Sequence, residues 1–154
     1  MTRPYPYKVG TYEAAAGKQP GTQEFARLCA KRFGFKNLGT WVVRPMRGKD
    51  VLSVHATGAA YDAGYTATPK GRGQALDALA WLVNNAGTLG IVAVHDYMAN
   101  PPRAWRCDRN GWKAFRDGEL GPGGHWFHIE LSPAMARDAT RVRKAWLSLP
   151  KPPK

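Results

Sequence analysis

Leu52-Ser53-Val54-His55-Ala56-Thr57-Gly58-Ala59-Ala60-Tyr61-Asp62 is the stretch on which the reading of this chain turns. It sets a histidine seven positions ahead of an aspartate, with a glycine and small side chains between them. A chain that turns back so that both residues reach one point has no room for bulk, and Gly58, Ala59 and Ala60 leave that room. The answering stretch is His125-Trp126-Phe127-His128-Ile129-Glu130. The chain has four histidines, at 55, 95, 125 and 128, and three of them fall in these two runs. Two imidazoles and a carboxylate are the donor types of a catalytic zinc site, which takes three protein ligands and keeps a fourth position open. His55, Asp62 and His128 meet that need when the strand holding 125–131 lies beside the one holding 51–55. His125, three residues before His128, is then the nearest candidate base for activating water.

Composition narrows the classes around this site. At 154 residues and 17.0 kDa the chain suits one domain. An apolar fraction of 44% with six tryptophans argues for a packed core, and no apolar run reaches the ~18 to 20 residues of a membrane span. The first residues lack the continuous apolar segment of a secretory signal. Two isolated cysteines, Cys29 and Cys107, read as free buried thiols rather than a disulfide framework. A net charge of +12 points to a polyanionic partner, such as nucleic acid, an anionic lipid surface or the acidic polymers of a bacterial envelope. The basic residues are spread along the chain and no nucleic-acid-binding motif accompanies them, so nucleic acid is not the expected partner.

Along the chain, residues 1–20 read as an extended arm. Thr22 caps a helix whose apolar face carries Phe25, Leu28, Cys29 and Phe33, and Gly34 stops it. Short strands are expected over 40–44 and 51–55, the second placing Ser53 and His55 on one face. Residues 63–73 read as a surface loop. A helix over 74–86 ends at Gly87, and a buried strand runs from Ile91 into His95-Asp96-Tyr97 until Asn100-Pro101-Pro102 breaks it. A hairpin is expected over 105–115 around Asp108-Arg109-Asn110-Gly111. After a glycine-rich loop and the strand 125–131, Ser132-Pro133 opens a final helix. The tail over 150–154 reads as a Pro/Lys linker, which suggests that a further domain follows. The order predicts an α+β domain with helices packed on one side of a small, mainly antiparallel sheet.

Ser53-x-His55-x-x-Gly58-x-Ala60-x-Asp62 resembles the signature of the zinc D-alanyl-D-alanine carboxypeptidase and L-alanyl-D-glutamate endopeptidase family at all five fixed positions. Arg44-Pro45-Met46-Arg47-Gly48 is similar to the run preceding that signature in phage-encoded members. The resemblance covers roughly residues 38–132. It implies a hedgehog/D-Ala-D-Ala peptidase-like fold and a zinc peptidase domain over 21–149. It also implies a zinc ion held by His55, Asp62 and His128, and hydrolysis of an amide bond in peptidoglycan stem peptides by a phage endolysin-type catalytic domain. His125 falls where the family places its base. On a second alignment Glu130 is the third ligand and His125 or His128 is left for catalysis. In the first alignment strand alternation puts His128 and Glu130 on one face and His125 on the other, so His125 reaches the metal only through a bulge. Arg44 and Arg47 are candidates for binding a substrate carboxylate, and Ser53 for touching substrate or orienting the strand. His95 is expected to be structural, with Asp96 beside it. Such a domain is expected to be a monomer made in the host cytoplasm, acting on the wall after release and joined to a wall-binding domain. The alternative is a noncatalytic zinc domain of the same fold that binds cell wall or a protein.

Overall fold

The computed structural model describes residues 7–109 and 111–152. Among these residues the elements run α1 (Pro20–Phe33), β1 (Lys36–Asn37), a 3₁₀ turn (Val54–Thr57), β2 (Ala60–Gly64), α2 (Pro69–Asn84), α3 (Ala86–Leu89), β3 (Ile91–Asp96), β4 (Arg103–Arg106), β5 (Gly111–Ala114), β6 (Trp126–Leu131), α4 (Pro133–Ala136) and α5 (Ala139–Leu147). The strands form one antiparallel sheet in the order β1-β2-β6-β3-β4-β5. The expected α+β class is therefore present, with the last strand in sequence inserted between β2 and β3.

Alternation along β2, β3 and β6 gives the sheet two chemically distinct faces. Tyr61 and Ala63, Val92 and Val94, and Phe127, Ile129 and Leu131 are buried together in the core. Helix α1 closes on that face, where the Phe25 and Tyr61 rings meet edge-on at 6.2 Å. Helix α2 reaches it at Asp96, whose buried carboxylate takes two hydrogen bonds from Arg72 and one from Arg103. The opposite face presents Asp62, His128, Glu130 and His95.

Several boundaries differ from expectation. Helix α1 starts at Pro20, because proline is preorganised for a first helical position, and Thr22 is buried inside the helix instead of capping it. Residues 63–73 are not one loop: Ala63 and Gly64 finish β2, and Thr68-Pro69 opens α2, with the Thr68 hydroxyl accepting from Gly71 N. Helix α2 ends at Asn84, and Gly90 rather than Gly87 stops the short α3 that follows. The final helix is two helices, because Asp138 caps a second start after Ser132 has capped the first. The two strands expected over 40–44 and 51–55 are absent. The two segments still run side by side, with Val42 N bonded to His55 O, Ser53 N to Arg44 O and Met46 N to Val51 O, but only one bridge, Pro45 to Leu52, forms, and the Val42 and Val43 side chains are exposed.

The hairpin expected over 105–115 is formed by β4 and β5, although Asn110 of its turn lies outside the described residues. So do residues 1–6 of the arm and 153–154 of the tail. The rest of the arm packs on the domain: Tyr7 is buried and donates its hydroxyl hydrogen to Leu131 O at 3.1 Å, and Ala15 N bonds Ala56 O. In the tail, Arg32 donates to Pro152 O. Cys29 and Cys107 are free and buried. Among the described residues no helix is long and apolar enough to cross a membrane.

Candidate metal centre

His55 does not sit on a strand. Ser53 caps a 3₁₀ turn by accepting from His55 N, and Gly58 ends that turn in the left-handed region at φ 75°. The turn lowers His55 onto the sheet face next to β2. Register then does the rest. Asp62 of β2 is paired with His128 of β6, and His128 with His95 of β3, so one row of side chains crosses three strands.

In this row His55 Nε2 lies 3.2 Å from Asp62 Oδ2, and His128 Nδ1 lies 3.2 Å from Asp62 Oδ1. The other nitrogen of His128, Nε2, meets Glu130 Oε1 at 2.9 Å. His55, Asp62 and His128 each offer one donor atom within 4.8 Å of the others, and this group can hold a metal ion. Glu130 lies outside that group and fixes the His128 ring from behind, which turns Nδ1 toward Asp62. Of the two expected choices for the third donor, the arrangement brings His128 to the cluster.

The electrostatics follow from burial and pairing. Burial alone would push the Asp62 carboxyl up, but hydrogen bonds and charge from His128 and His55 hold it well below the usual carboxylate range. Burial disfavours charge on His128 as well, yet its bonds to Asp62 and Glu130 and their charges push its imidazole up to about 10. Burial, and after it the neighbouring His128, push His95 down to about 4, so its ring is neutral at pH 7.

The cluster lies in a groove of about 170 Å³. Arg44, Arg47 and Lys49 bound it from one loop, and Glu119 to Pro122 from another. Arg47 and Lys49 are exposed and make no ion pair among the described residues, so their charges face solvent and groove.

The chain matches no protein-family model, no curated protein and no solved structure.

The expected residues divide as follows. His55, Asp62, His128, Ser53, Arg44 and Arg47 all border the groove. His125 does not. It is exposed, its ring meets Tyr65 edge-on at 5.8 Å, and its carbonyl accepts from Tyr65 N. Pairing of β6 with β2 runs unbroken from Trp126 to Glu130, so no bulge rotates His125 to the metal face. His95 and Tyr97 border the groove in its place. Asp96 points to the helix face and is no partner of His95. The alternation of Val92, Val94 and Asp96 against Ala93, His95 and Tyr97 is the signal that separates them.

Proposed function

We propose that this chain is a zinc-dependent peptidoglycan peptidase, a cell-wall lytic domain of the phage endolysin type with a hedgehog/D-Ala-D-Ala peptidase-like fold. The observation that carries the proposal is the convergence of His55, Asp62 and His128 in a groove rimmed by free cations. Zinc suits this donor set. The set offers two imidazoles and one carboxylate, with one donor atom from each within 4.8 Å of the others. The resemblance of the His55–Asp62 stretch to the zinc carboxypeptidase signature supports the same choice.

When bound, zinc would polarise a carbonyl and lower the pKa of its water toward ~7. The protein's own groups supply the remainder. Glu130 orients His128, and Ser53 shapes the turn that carries His55. Arg44, Arg47 and Lys49 bind carboxylates of a stem peptide by charge-assisted hydrogen bonds. His95 borders the groove as a neutral imidazole beside His128. The +12 charge suits a polyanionic wall. The domain acts as a monomer after release from the host cytoplasm, alongside a wall-binding module, on peptidoglycan and not on nucleic acid.

The test is mass spectrometry of fragments released from defined peptidoglycan by the protein, by protein treated with a chelator, and by His55→Ala. Fragments from the parent alone support the reading and name the bond. Equal release in all three sinks the zinc mechanism. The position of His125 away from the cluster favours a second reading, a noncatalytic zinc domain that binds wall or a protein. A parent that binds zinc and releases nothing decides for it.

A further inference from the structure

Tyr97 follows β3 directly, and its ring is held on three sides of the groove. It meets the His95 ring edge-on with centroids 6.0 Å apart and the Trp126 ring at 5.9 Å. Gly123 closes the third side: a Cβ there would fall 2.0 Å from Tyr97 Cγ, so only glycine lets that backbone lie on the ring. Tyr97 is half-buried, and its hydroxyl makes no hydrogen bond among the described residues, so the O–H is free to meet a ligand. The charges acting on the hydroxyl are those of the site: Asp62 from the cluster, Glu130 behind His128, and Arg44 and Arg47 from the rim. The clamped ring, with its open donor, lines the same groove as the metal ligands and the cationic rim.

Resting on the peptidase reading above, we propose that Tyr97 is a catalytic residue that donates a hydrogen bond to the scissile carbonyl oxygen and to the oxyanion formed there. In that step the water oxygen bonds to the carbonyl carbon and the C=O π pair moves to oxygen, where the Tyr97 O–H meets it. The carbonyl then re-forms as the C–N bond breaks, and the amine leaves with a proton that came from the water. Tyr97 keeps its own proton throughout. Burial, followed by the nearby carboxylates, holds the phenol above its ordinary range, so it remains a donor at neutral and mildly basic pH. Of the other hydroxyls, Ser53 also borders the groove but serves as the cap of the turn that carries His55. Ser53 Oγ is engaged with His55 N, Tyr65 accepts from Arg72, and Tyr61 is buried in the core.

Tyr97→Phe removes one oxygen and keeps the ring. Zinc stoichiometry, thermal midpoint, kcat and KM on a defined muropeptide, and affinity for a peptide phosphinate that mimics the tetrahedral carbon are measured on parent and variant. Expected are unchanged zinc content and midpoint, a similar KM, and a kcat lower by roughly 100- to 1,000-fold. Phosphinate affinity falls by the same factor. An active parent whose Tyr97→Phe variant keeps parental kcat or phosphinate affinity overturns the role of Tyr97 and leaves the peptidase reading standing. A variant that loses zinc also overturns it, since the effect is then structural. A parent that binds zinc and cleaves nothing overturns both.

Discussion

His128 stands between two carboxylates, Asp62 on Nδ1 and Glu130 on Nε2. That double embrace makes the metal-free protein prefer the imidazolium, with a folded pKa of about 10 against 6.5 for the free side chain. The sign follows from proton counting. Between these values the folded state binds more protons than the unfolded one, so stability is fully present below pH 6.5 and is lost as pH rises toward 10. Chemical denaturation of chelator-treated protein across this window should show a falling free energy, and Glu130→Gln should flatten the fall. A metal competes with that proton, so zinc affinity runs the other way and strengthens with pH. A metal-free protein whose stability climbs from pH 6.5 to 10 contradicts the pairing.

Among elements, the 3₁₀ turn is the one on which the centre hangs, because it alone delivers His55 to β2. Gly58 closes it at φ 75°, and a Cβ there would fall 2.5 Å from Gln19 Cγ, next to the start of α1. Gly58→Ala should cost at least the ~1–2 kcal/mol of a left-handed non-glycine residue and should weaken zinc binding by displacing His55. Gly73→Ala offers the contrast. It lies within α2 with open space around its Cβ position, and should stabilise by roughly 0.5–1 kcal/mol. Thermal melts with a chromophoric chelator titration measure both effects. A Gly58→Ala protein with parental stability and affinity rules out the turn as the device that positions His55. The caps show which local signals could be trusted: Ser132-Pro133 was legible as a start, and Thr68-Pro69 carries the same chemistry. The glycines that follow Thr68 disguised it as a loop.

For the whole molecule, a net charge of +12 acts over a screening length of about 8 Å at physiological salt. Release of fragments from intact anionic walls should therefore fall as salt rises, while cleavage of a small soluble muropeptide holds nearly steady. Parallel loss on both substrates would show that salt acts on the centre and not on attraction to the wall. The donor residues were legible because a histidine, an aspartate and small spacers are local chemistry, and the α+β class because helical stripes and alternating strands are local periodicities. The segments expected as strands over 40–44 and 51–55 do face each other, with Val42 N donating to His55 O and Ser53 N to Arg44 O, but Pro45 has no N–H to donate and the 3₁₀ turn from Val54 ends the extended run, so one bridge is all that forms. His125 was legible only as a side chain near His128; its face depended on whether β6 carried a bulge. By itself the sequence determined the candidate donor set, the charge, the glycine that bends the chain and the helix start at Ser132-Pro133. Only the tertiary structure decided that β6 enters between β2 and β3, that Asp62, His128 and His95 share one row, and that His125 faces away. Those outcomes depend on register between strands as far as 66 residues apart. Burial of the Tyr61–Phe127–Ile129 face against the helices sets that register, and no local preference encodes it.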